Sequence, residues 1–164
     1  MKMILLWSVL LFSILLSACG KQTPTQQPLP SPKPFPTSQQ IPELSGIWTV
    51  SMQLSGGFAG LSQSIEISSD GAVTAKDERS NKVAKRQLIS DELTKLTSLI
   101  SSASLQSPTD LLTGCADCFN YNIQINSDSG KFTAQLDDVS LPDSGIKLLV
   151  GYLGKLMNQM LAGG

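Results

Sequence analysis

Hydrophobic positions along this chain change their spacing several times, and each change marks an element. Ile4 to Leu16 form an almost unbroken apolar run behind Lys2. From Lys21 to Glu43 periodicity vanishes, and Pro24, Pro28, Pro30, Pro32, Pro34, Pro36 and Pro42 interleave with Gln, Ser and Thr. Strict alternation begins at Trp48: Val50, Met52 and Leu54 are apolar against Thr49, Ser51 and Gln53, the mark of a half-buried strand. Ile65 and Ile67 start a second strand, Ser69-Asp70-Gly71 turns the chain, and Val73 with Ala75 continues a third. Val83 to Ile89 adds a short fourth. The period then becomes helical. Ser90 is read as an N-cap, Asp91 and Glu92 suit the first turn, and Leu93, Leu96, Leu99, Ile100 and Ala103 supply the apolar face.

A loop from Ser104 to Cys118 follows. Phe119, Tyr121, Ile123 and Ile125 give the clearest strand of the chain; Asn126 to Gly130 turns it, and Phe132, Ala134 and Leu136 pair back. Pro142-Asp143 opens a last helix, with Ile146, Leu149, Val150, Leu153, Leu156, Met157, Met160 and Leu161 at the helical repeat. The order β-β-β-(β)-α-β-β-α predicts an α+β fold, an antiparallel sheet of about five to six strands with two helices packed on one face. The polar side of the last helix has few cations, chiefly Lys147 and Lys155, so its stripe is expected to cover the sheet rather than lie on a bilayer.

The apolar run ends in Leu16-Ser17-Ala18-Cys19-Gly20. A basic start, a short apolar region and small residues before a cysteine read as an export signal, and the stretch is shorter than the roughly 20 residues a membrane span needs. The order Leu-Ser-Ala-Cys resembles the lipobox of bacterial lipoproteins. That resemblance implies cleavage after residue 18, lipidation of Cys19 and an extracytoplasmic protein held to the lipid bilayer of the cell membrane or outer membrane. Several acyl chains anchor stably where one does not. Residues 19–43 are then a polar, proline-rich spacer that cannot bury enough surface to fold, and 44–164 is long enough for one domain.

Without Lys2 the chain has 11 basic against 13 acidic side chains, so nucleic acid is not an expected partner. The cluster Lys76, Arg79, Lys82, Lys85 and Arg86 is broken by Asp77 and Glu78 and reads as a solvated edge hairpin. There is no histidine, which removes the commonest general base and zinc-binding nitrogen. Asp137-Asp138 ends a strand; adjacent strand residues point to opposite faces, so a solvated terminus is expected there rather than a shared cation site. Gly56 to Gly60 leads into a strand, not a helix, and so lacks the setting of a phosphate loop. No catalytic residue, metal or cofactor is assigned, and an enzyme is the disfavoured class.

Cys115-Ala116-Asp117-Cys118 is the one reactive-looking motif. Residues three apart in a turn lie close enough for a disulfide, and an oxidising compartment permits it. A redox pair would need the first cysteine at a helix start after a strand, and two thiolates without histidine leave a zinc site half built.

The domain as a whole is similar to the emfourin-like proteins. The similarity is carried by Ser55-Gly56-Gly57-Phe58-Ala59-Gly60 after a first strand, the leucine-spaced helix from Ser90, the cysteine- and aspartate-bearing loop, and Phe119-Asn120-Tyr121-Asn122-Ile123. A hairpin to Asp137-Asp138, Pro142 and a leucine-rich closing helix complete it. The resemblance spans about Thr49 to Leu161 and implies inhibition of a secreted thermolysin-type metallopeptidase. The lipobox and the spacer lie outside the resemblance, and the Cys115/Cys118 pair maps onto no inhibitory role in the family. An inhibitor needs a rigid protruding segment, and two qualify: Gly56, Gly57, Phe58 and Ala59, with Phe58 either an apolar anchor or a cover for the core edge, and the Cys115–Cys118 turn with Asp117. A non-catalytic module that recognises an envelope protein or polysaccharide fits the same residues.

Overall fold

Alternation in the strands translates into a sheet with one apolar face and one polar face. The structure, a computed structural model, describes residues 41–105 and 110–163; the expected export signal, Cys19 and the proline-rich stretch to residue 40 lie outside them. In chain order the elements are β1 (Trp48–Gly56), β2 (Leu61–Ser68), β3 (Ala72–Asp77), β4 (Lys82–Gln87), α1 (Ser90–Ser102), β5 (Asp110–Leu111), β6 (Phe119–Ser127), β7 (Gly130–Asp137) and α2 (Lys147–Ala162). They build one sheet, ordered β4-β3-β2-β1-β6-β7-β5. Six strands run antiparallel to their neighbours, and β5 adds two residues in parallel beside β7. The α+β class and the element order match the sequence expectation.

Register follows from the apolar alternation. Val50 lies between Ile67 and Ile125, and Met52 between Ile65 and Ile123. All six are buried with Val73, Phe132 and Leu136. A slip of one residue would turn this whole set to water. Two helices cover that face: α2 buries Leu149, Val150, Leu153, Leu156, Met157, Met160 and Leu161, and α1 buries Leu96 and Ile100. Each fully buried aliphatic side chain contributes about 1.5–3 kcal/mol. Every buried apolar residue described lies between Trp48 and Leu161, and Pro34–Gly164 forms a compact unit by itself. That segment therefore holds a complete core of its own, as an independently folding domain must.

The opposite face carries Thr49, Ser51, Gln53 and Ser55 on β1, flanked by Ser62, Ser64, Glu66 and Ser68 and by Asn120, Asn122, Gln124 and Asn126. Glu66 alone among these twelve is charged.

Four local expectations are corrected. β2 begins at Leu61, four residues before Ile65, because the ladder with Gln53–Gly56 holds residues that carry no apolar pattern. Ser90 is the first helical residue and not a cap; the Glu92 carboxylate instead accepts the Ile89 N–H at 3.2 Å, satisfying one of the donors a helix start leaves open. Pro142-Asp143 does not open α2. It sits in a separate 3₁₀ turn (Leu141–Asp143), Gly145 takes φ 78°, and α2 starts after the buried Ile146. The loop after Ser104 contains β5, too short to show a period.

The basic cluster lies on the edge hairpin β3–β4, and three of its members are tied down. Arg79 donates to the Ala59 carbonyl, Lys82 to the Leu161 carbonyl near the end of α2, and Arg86 grips Glu92 with two bonds of 2.7 and 2.8 Å. That grip is the largest cause holding the Glu92 carboxyl below its usual range. Among the described residues no helix is long and apolar enough to cross a membrane.

Candidate functional site

Both loops singled out in the sequence emerge at the same end of the sheet, where β1 finishes and β6 begins. Gly56 pairs with Phe119 across this end, and the Gly57 N–H donates to the Cys118 carbonyl at 3.0 Å. The close approach explains the glycines. A Cβ on Gly57 would lie 2.3 Å from the Phe119 ring, and one on Gly56 would lie 2.6 Å from the Cys118 oxygen. Gly56 and Gly57 also hold positive φ, 92° and 69°, which glycine adopts without the Cβ penalty. The Gly60 N–H returns to the Gly57 carbonyl at 2.9 Å, and Arg79 holds Ala59 from the neighbouring hairpin. Phe58 stands at the tip of this braced turn, 98% exposed. It covers no part of the core edge.

Cys115 and Cys118 are joined by a disulfide, with Cα atoms 5.4 Å apart. Asp117 is exposed within the ring they close. The stapled turn is held at both flanks by Asp137, the last residue of β7, and Asp138, which follows it. Before the turn, Asp137 accepts the Thr113 N–H at 2.6 Å and the Thr113 hydroxyl at 2.7 Å. After it, Asp138 accepts the Phe119 N–H and the Tyr121 hydroxyl, each at 2.8 Å.

The expectation of a solvated terminus fails for Asp137, which is 1% exposed. Its second oxygen takes the N–H groups of Val139 and Ser140 at 3.1 and 3.0 Å. These bonds, led by the Thr113 hydroxyl, hold its carboxyl far below the usual carboxylate range, because donors stabilise the charged form. On the other face Tyr121 is pushed up to about 12, first by burial and then by its bond to Asp138.

Sequence reasoning thus located the two loops and missed what fixes them: Thr113, Arg79 and Asp137. One signal was available for Asp137. An aspartate whose side chain takes the N–H groups two and three residues on makes an Asx turn, and Asp137-Asp138-Val139-Ser140 has that form. Among the described residues no group of three or more His, Cys, Asp or Glu side chains is placed to hold a metal ion. The surface is a pair of rigid loops with an exposed aromatic ring and an exposed carboxylate. It is suited to filling another molecule's pocket. A scan against models of known protein families finds no match to this chain, and a search of curated proteins likewise finds none.

Proposed function

We propose that this chain is a lipid-anchored, extracytoplasmic binding protein without catalytic activity of its own, and that it blocks a thermolysin-type metallopeptidase by inserting the Phe58 loop into the protease cleft. The observation that carries the reading is Phe58 itself, an aromatic side chain almost wholly in water on a turn held by backbone bonds and by Arg79. An apolar ring kept exposed on a pre-organised loop loses little entropy on binding and gains the full area it buries. Asp117, on the adjacent stapled turn, would approach the enzyme's zinc. The resemblance to emfourin-like proteins supplies the protease class, and the Leu-Ser-Ala-Cys run supplies the acyl anchor at Cys19.

A second reading, a surface module for an envelope protein or polysaccharide, draws on the nearly uncharged hydroxyl and amide face of the sheet. Titration of the segment from Pro34 onward against a panel of thermolysin-type enzymes separates the two. Inhibition that falls in Phe58→Ala and Asp117→Ala, with melting temperature unchanged, supports loop insertion. No inhibition by the native segment at micromolar concentration, or constants unmoved by both substitutions, overturns it in favour of the second reading.

A further inference from the structure

On the helix side, the sheet near the Gly56 end is left partly open. A groove of about 790 Å³ runs there between the sheet and both helices, a volume in the range of small-molecule sites. Leu54, Phe119 and Tyr121 line it from the sheet. Lys95 of α1 and Lys147 and Lys155 of α2 line it from above, and no carboxylate does. Lys147 and Lys155 make no ion pair among the described residues, and Lys95 lies 5.5 Å from the centre of the Tyr152 ring. Leu148, at the same groove, is 76% exposed. Apolar lining and a net positive charge of the lining residues therefore coincide, the nearby carboxylates of Asp138 and Asp77 being engaged by the Tyr121 hydroxyl and the Gln63 amide.

The groove owes its width to two glycines inside α2. A Cβ at Gly151 would meet nothing within 4 Å, and one at Gly154 would meet only the Met52 methyl at 4.0 Å. Neither holds positive φ. Packing therefore does not require glycine at either place, although glycine weakens a helix interior. Their effect is to keep side chains out of the groove.

We infer that this groove binds a linear alkyl carboxylate, with the hydrocarbon chain along Leu54, Phe119 and Tyr121 and the carboxylate among Lys95, Lys147 and Lys155. The site is separate from Phe58, so it stands or falls independently of the protease reading. The test is calorimetric titration of the segment from Pro34 onward with decanoate below its micelle concentration. Saturable one-to-one binding is expected, weakened about tenfold or more in a Lys147→Glu/Lys155→Glu double variant. Gly151→Leu should abolish it without lowering the melting temperature, and Phe58→Ala should leave it unchanged. The proposal is overturned by absent binding or by affinity that survives both the charge reversal and the groove filling. Equal binding of decyltrimethylammonium overturns it too, as does binding to anionic phospholipid vesicles with none to decanoate.

Discussion

The two loops at the Gly56 end of the sheet are rigid for opposite reasons. The Gly56–Gly60 turn is held by what it lacks. With no Cβ atoms in the way, its backbone closes onto Cys118 and the Phe119 ring, and its one large side chain is left in solvent. The Cys115–Cys118 turn is held by what it adds, a covalent bridge flanked by two carboxylates that reach it from the end of β7 and the residue after it. Neither loop relies on buried apolar side chains, the usual source of order. A loop can be fixed through its backbone and its flanks, leaving its side chains free for contact.

Substitutions that break each mode of support would test this contrast. The largest loss is expected from Asp137→Ala, which leaves the amides of Thr113, Val139 and Ser140 without their acceptor and frees the stapled turn at its first flank. Chemical denaturation should place its midpoint below those of Gly57→Ala and of a variant lacking the disulfide. The same carboxylate makes stability depend on pH. Its folded pKa is depressed, so its contribution is complete above the unfolded value of about 3.9 and is lost as pH falls towards the folded value. Asp137→Asn should flatten the decline in midpoint below about pH 4; an unchanged slope would remove Asp137 as its source.

Gly57→Ala comes next. It forces a Cβ into the Phe119 ring and a non-glycine residue into positive φ, at a cost of about 2–3 kcal/mol. Opening the disulfide with Cys115→Ser and Cys118→Ser should cost about 2 kcal/mol. Because Asp137 and Asp138 still hold both flanks, amide exchange at Phe119 should remain slow in that variant. Rapid exchange there would mean that the bridge, not the carboxylates, orders the turn.

The long strands and both helices were legible because each has a period. Val50 and Met52, or Leu149 and Leu153, announce their face by spacing alone, and the same spacing fixes the register of the sheet. What escaped the sequence has no period. Asp137 reaches Thr113 across 24 positions and Arg79 reaches Ala59 across 20; such partners are set by the sheet order, which local patterns do not encode. The false cap at Ser90 has a related cause. A serine before an apolar repeat is the usual capping residue, but here Glu92, already drawn inward by Arg86, takes the Ile89 amide. The groove was hidden for another reason. Glycines at 151 and 154 fall among the polar positions of the helical repeat, and the repeat alone does not show which strands lie beneath them.

Ile41 and Leu44 pack against the core, and the Glu43 carbonyl accepts the hydroxyls of Ser127 and Ser129 in the β6–β7 turn. This places the foot of the domain at the Trp48 end of β1. Phe58 and the stapled turn crown the other end, roughly 27 Å away at about 3.4 Å per strand residue. Among the described residues, the chain thus enters at the foot and leaves the crown open to a visitor.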